Sequence, residues 1–92
     1  SYAYLSLGML YLQLDRRQDA QQQFERAVKA ERLPFMKEYF TAVALIRMHP
    51  NDRSRLLQAR SHLERALELQ PQHTESSRAL SELERRLGGR AR

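Results

Sequence analysis

The residues able to do chemistry are few, and their spacing is unhelpful to catalysis. The three histidines, His49, His62 and His73, stand 13 and 11 residues apart, outside any spacing that closes a metal site from one helix or one loop. Cysteine is absent, which removes thiolate nucleophiles, thiolate metal ligands and a disulfide framework together, and leaves the redox compartment open. No glycine-rich phosphate loop occurs. Serine, histidine and aspartate are all present, but mostly at turns and polar faces. Glu64 with Glu68, and Glu82 with Arg86, are i, i+4 neighbours on helix surfaces, the second a weakly stabilising ion pair. These residues assemble no active site, so the chain is read as a non-enzyme that needs no cofactor and no metal.

The elements that carry these residues are helices. Three Gly and three Pro in 92 residues leave too few turns for a β-sandwich, whereas Leu, Arg, Ala, Gln and Glu, the dominant residues, favour helix. The fold class is all-α, in one small domain or a fragment of a larger one. Five helices fit the punctuation: about Tyr2–Leu14, Arg17–Arg32, Phe35–Met48, Arg53–Leu69, and a last one capped by Thr74 and carrying Leu80, Leu83 and Leu87. Asp15 can cap the second helix, and Asn51 or Asp52 the fourth. Pro34 and Pro71 stop the helices before them. Gly88-Gly89 supplies a left-handed C-terminal cap, and residues 90–92 are frayed.

Charge is lopsided. The net charge of +5 divides into six cations and five anions over residues 1–46, and ten and six over residues 47–92. Arg85, Arg86, Arg90 and Arg92 end the chain with no acid among the last eight residues. Nucleic-acid binding calls for cations interleaved with exposed aromatics. All seven aromatics lie within residues 1–40, so nucleic acid is a disfavoured partner, and a basic tail at 89–92 acting on nucleic acid or an anionic membrane is a minor alternative. Ser1–Leu14 has ten apolar residues and no charge. That is too short for a transmembrane helix, which takes about 20 apolar residues, and it lacks the basic flank of a signal peptide. A helix apolar on nearly every side must be covered by protein on more than one face. A soluble chain is expected, with the cytoplasm the favoured compartment.

An internal period organises the helices. Ala20, Phe24 and Ala27 recur as Ala59, Leu63 and Ala66, 39 residues on, and Tyr4, Leu7, Gly8 and Tyr11 recur as Tyr39, Ala42, Val43 and Ile46, 35 residues on. The four extra residues of the second unit are assigned to the turn at His49–Arg55. On these residues the chain resembles the tetratricopeptide repeat family, whose pattern of about 34 residues asks for an aromatic, Leu-Gly, Tyr, Ala, an aromatic, Ala and Pro. Repeat one supplies Tyr4, Leu7, Gly8, Tyr11, Ala20, Phe24 and Ala27, with the proline two residues late at Pro34. Repeat two supplies Tyr39, Ala59, Ala66 and Pro71, with Leu56 and Leu63 in place of aromatics. It departs from the pattern at Val43, where a wider crossing of the third and fourth helices is expected.

The resemblance implies a right-handed helical superhelix of two repeats, residues 1–34 and 35–71, followed by a capping helix over 72–88. It also implies a role as a protein–protein interaction scaffold or assembly adaptor, as part of a larger repeat protein. In the family, one stripe of each first helix faces a concave groove. Carried onto this chain, that stripe is Tyr2, Leu5, Met9, Leu12 and Gln13, then Lys37, Phe40, Ala44, Arg47 and Met48. Such a groove suits a peptide or amphipathic helix with apolar anchors and an acidic residue. Chaperone-binding members clamp a C-terminal carboxylate with Lys and Asn; Leu5 and Met9 stand at the corresponding first-repeat positions, which argues against that mode. A second reading stays open: the same apolar side chains pack on a neighbouring repeat or on a second copy of the chain, as a homo-oligomer.

Overall fold

In the computed structural model, which describes residues 2–88, five helices follow one another: α1 (Tyr2–Gln13), α2 (Arg17–Ala30), α3 (Pro34–Met48), α4 (Arg53–Leu69) and α5 (Thr74–Arg86). Sequential helices pack as neighbours, α1 on α2, α2 on α3, α3 on α4 and α4 on α5, and α3 also touches α1. The result is a slab of 40 × 29 × 17 Å. Two apolar clusters hold it together. Leu5, Ala20, Phe24, Ala27, Met36, Phe40 and Met48 bind the first three helices; Ala42, Leu56, Ala59, Leu63 and Leu83 bind the last three. Tyr39 packs against both.

Local chemistry fixes each boundary, in several places by a different residue from the one expected. Asp15 does not cap α2. It closes α1 from the left-handed region, at φ 60°, a conformation Asp tolerates better than most side chains. There the N–H of Arg16 donates to the Tyr11 carbonyl at 2.8 Å, and that of Asp15 donates to Leu12 at 3.0 Å. These are the paired bonds of a Schellman ending. Arg16 then precedes α2 with no side-chain capping bond. Pro34 does more than follow α2, which already ends at Ala30: it is the first residue of α3, where a missing N–H costs nothing and the fixed φ suits the helix. Asp52 caps α4 as expected, its Oδ1 accepting from the Arg55 N–H at 3.2 Å. His73, not Thr74, occupies the N-cap of α5. Gly88 takes the left-handed φ of +94° expected there; Gly89 and residues 90–92 lie outside the described residues.

Packing corrects the repeat register. The small residue at the crossing recurs in α3 at a step of 34, not 35: Gly8 is matched by Ala42, which is fully buried, while Val43 lies only half-buried on another side of α3. One residue is about 100° of helix rotation, so the two assignments point different faces at α4. With Ala42 at the crossing, the small residue the pattern demands is present, and the departure assigned to Val43 disappears. The second-helix step of 39 holds, since Ala20, Ala27, Ala59, Leu63 and Ala66 are all fully buried and Phe24 nearly so. The difference between the helix pairs is therefore five residues. One lengthens α3, one lengthens the turn (His49–Asp52 against Leu14–Arg16), and three form the opening turn of α4. Helix absorbs most of the insertion.

The first crossing shows why a small residue is required. A Cβ built on Gly8 would lie 2.8, 2.9 and 3.0 Å from Cε1, Cδ1 and Cζ of Phe24. The ring of Phe24 occupies the space a side chain would need.

Candidate functional site

This packing leaves a groove along one face of the odd-numbered helices. Leu5, Met9 and Leu12 of α1 lie beside Tyr39, Val43 and Ile46 of α3, and then Ala79, Leu83 and Arg86 of α5. These are equivalent positions with the same four- and three-residue steps, related by 34 residues between α1 and α3 and by 40 between α3 and α5. Helix α5 thus repeats α3: Ser76 is buried where Met36 is buried, and Leu83 lines the groove where Val43 does. The three stripes enclose a groove of about 1100 Å³, whose rim adds Tyr2, Ser6, Leu10, Gln13, Arg47, Pro50 and Glu82.

Of the residues expected to form this groove, Tyr2, Leu5, Met9, Leu12, Gln13 and Arg47 line it. Lys37, Phe40, Ala44 and Met48 do not. Phe40 is fully buried, with Tyr2 edge-on to its ring at a centroid distance of 5.2 Å. Lys37 turns toward α2 and donates from Nζ to the Val28 carbonyl at 3.1 Å. Ala44 and Met48 face a second cavity of about 650 Å³ formed with Phe24 and Val28 of α2. The cause is the register: a step of 35 from Leu5 and Met9 gives Phe40 and Ala44, one position beyond Tyr39 and Val43. The step of 34, the family's own period, identifies the α3 stripe from sequence. The α5 stripe needs the additional knowledge that the second unit is longer.

Charges on the groove are unevenly compensated. Glu82 is paired with Arg85 outside it, and not with Arg86 as its i+4 spacing suggests. Arg86 instead donates from Nη2 to the Pro50 carbonyl at 2.7 Å, a neutral acceptor that leaves its charge unbalanced. Arg47 is exposed on the groove wall near Tyr39. Burial raises the Tyr39 phenol above its usual pKa, with Tyr2 and Glu75 adding to the effect and Arg47 opposing it. Burial likewise raises Tyr2, with help from Glu75 and Glu31. Both phenols stay neutral at physiological pH and can donate hydrogen bonds.

The remaining polar contacts lock the scaffold. Glu38 of α3 reaches across to α4, its Oε1 2.7 Å from His62 Nδ1 and its Oε2 accepting from Arg65 Nε at 3.3 Å. The His73 ring stands edge-on to both Phe35 and Tyr39, each with centroids 5.0 Å away, and its Nδ1 lies 2.7 Å from the Ser76 hydroxyl. The three histidines are thus divided between a helix–helix brace, an aromatic joint and the turn after α3. No described helix is long and apolar enough to cross a membrane.

Comparison with known proteins agrees with this geometry. Residues 1–32 match the family model described as Tetratricopeptide repeat. No curated protein and no solved structure matches the chain. The matched segment ends just after α2 and so spans the helix pair whose crossing is set by Gly8 and Phe24. Residues 1–32 thus carry a tetratricopeptide repeat, a motif of the kind found in protein-binding scaffolds, and the five described helices around it are consistent with an all-α helical repeat.

Proposed function

We propose that the chain is an adaptor that holds an amphipathic, acidic segment of a partner protein along the groove formed by α1, α3 and α5. The observation that carries this reading is the alignment of three equivalent stripes beside two guanidinium groups, Arg47 and Arg86, neither in an ion pair with an acid among the described residues. Met9, Leu12, Val43 and Ile46 offer apolar contact along the groove, over a floor that includes the buried Leu5 and Leu83. The flexible thioether of Met9 lets the surface adapt to different anchors. A partner carboxylate near Arg47 or Arg86 gains a charge-assisted bond, for which the planar guanidinium is well shaped. Anchors at helical or alternating spacing would fill the stripe.

The test is selection from an unbiased peptide library on the immobilised protein, followed by titration of the best binders. Enriched sequences should combine Leu, Ile or Phe anchors with Asp or Glu. Arg47→Glu should weaken them at least about tenfold, the scale of one lost charge-assisted bond, without lowering the melting temperature. Binding that ignores Arg47→Glu, or selection of basic peptides, would refute the proposal.

A further inference from the structure

The groove differs from end to end. Tyr2 opens α1, Phe35 and Tyr39 lie in the first half of α3, and His73 and Glu75 begin α5. At the other end Arg47 and Arg86 stand in the last turns of α3 and α5. Cations therefore mark one end, and rings with a carboxylate mark the other.

The rings form a continuous surface. Phe40 stands 5.2 Å from Tyr2, nearly perpendicular to it, and 5.8 Å from Tyr39. The His73 ring is edge-on to Tyr39, and its Nε2 lies 3.3 Å from Glu75 Oε1, which places that carboxylate beside the rings. The Glu75 side chain is still 51% exposed. After burial, the charge of Glu75 and then that of Glu31 raise the Tyr2 phenol, so both carboxylates act on this ring. Glu75 acts on Tyr39 too, where Arg47 opposes it more weakly.

Tyr2 is 49% exposed and Tyr39 half-buried, and both line the groove. Aromatic faces are negative and attract cations, and a neighbouring carboxylate adds to the attraction. Among the described residues the one cation over a ring is Arg16, 5.1 Å from the centroid of Tyr11. Lys37, on the same turns of α3 as Tyr39, points instead to the Val28 carbonyl. No cation of the described chain occupies the Tyr2 and Tyr39 rings.

We infer that the end of the groove at Tyr2, Tyr39 and Glu75 is a cation subsite, which takes a lysine or arginine side chain of the segment bound along α1, α3 and α5. This rests on the proposed binding of an acidic segment and gives that segment a polarity, with its acid at Arg47 or Arg86 and its base at Tyr2 and Tyr39. Eight residues of α3 separate Tyr39 from Arg47, and eleven of α5 separate Glu75 from Arg86. At 1.5 Å per residue these are spans of about 12 and 16 Å. The base of a helical partner therefore stands about eight to eleven residues from its acid, and that of an extended partner about four or five. A helix with acid first and base last also complements its own dipole, which sets it antiparallel to the odd-numbered helices.

Two measurements on the full chain test the subsite. Tetramethylammonium chloride should move the ring signals of Tyr2 and Tyr39 in NMR spectra where sodium chloride at equal concentration does not, and Glu75→Gln should reduce the response. Binders selected from the peptide library should carry Lys or Arg at the stated spacing from Asp or Glu. Glu75→Lys should weaken them at least about fivefold, the scale of one cation–π contact with its carboxylate. Exchanging the peptide's base for glutamate should restore affinity for Glu75→Lys alone, a rescue that a merely structural role of Glu75 does not give. Unmoved ring signals together with binding indifferent to Glu75→Lys would overturn the inference and leave the acidic-segment reading intact. Binders that ignore Arg47→Glu while the ammonium shifts persist would overturn that reading and keep the cation subsite.

Discussion

Replacing Gly8 with alanine sets two physical effects against each other, and the structure decides which wins. In an exposed helix interior the change would stabilise by about 0.8–1.0 kcal/mol, because glycine loses more backbone entropy on folding. At Gly8 the new methyl would meet the Phe24 ring at 2.8 to 3.0 Å, well inside the distance of about 3.5–4.0 Å at which carbon atoms attract. Phe24 is only 2% exposed and is packed within the first core cluster, so its ring yields only at a cost in core contacts. Overpacking of this kind costs about 1–3 kcal/mol, so Gly8→Ala should be destabilising by about 1 kcal/mol net. For a domain of this length that lowers the melting temperature by about 4–8 °C.

The second repeat supplies the control. Its equivalent pair is Ala42 with Leu63, both fully buried in one cluster, so a methyl on the first helix is compatible with a leucine on the second. Phe24→Leu alone should cost about 1 kcal/mol through lost ring contacts. The double variant Gly8→Ala/Phe24→Leu should recover the alanine's helix propensity and come out more stable than the sum of the singles by at least about 1 kcal/mol. Urea unfolding followed by far-UV circular dichroism measures all four corners of the cycle, provided the m-values agree. A stabilised Gly8→Ala, or additive single and double variants, would refute the crossing argument.

Two further outcomes follow from the caps and the interhelical brace. Asp52→Ala should destabilise by about 1 kcal/mol through loss of the α4 cap, whereas Thr74→Ala, one residue inside α5, should stay within about 0.5 kcal/mol; thermal melts of the two distinguish a true cap from its neighbour. Burial alone would raise the Glu38 pKa, but hydrogen bonds from His62 and Arg65 outweigh it and hold the value below its usual 4.5. Because the folded value is the lower one, the stabilisation is complete above 4.5 and is lost as pH falls through the folded pKa. The stability gap between the natural chain and Glu38→Gln should therefore be about 0.2–1 kcal/mol at pH 7 and close on acidification, as urea melts at a series of pH values would show.

Much of this architecture is legible in the residues because it is local. Helix positions follow from propensity, from Pro34, Pro71 and Gly88, and from the Asp52 cap, and all five were placed to within about two residues. The pairing of Gly8 with Phe24 and the Ala20–Ala27 steps identify the repeat because only small residues permit that crossing. Half of the groove was legible too: the α1 stripe and Arg47 are where the pattern placed them. The α3 stripe was missed because Tyr39, Ala42, Val43 and Ile46 are compatible with either of two registers when read as types.

Composition and spacing thus determined the fold class, the repeat and the lopsided chemistry of its ends. Only the tertiary structure decided which face of α3 meets α2, which meets α4, and which remains for a partner. The physical reason is angular. A helix turns about 100° per residue, so a single-residue ambiguity in register exchanges a core face for a groove face, and only the volumes of Phe24, Leu63 and their neighbours across the helix crossings resolve it. The same packing leaves Tyr2, Ser6, Leu10 and Leu14 exposed, at positions whose counterparts in α3 and α5 are withdrawn from solvent. No reading of a single helix contains that fact.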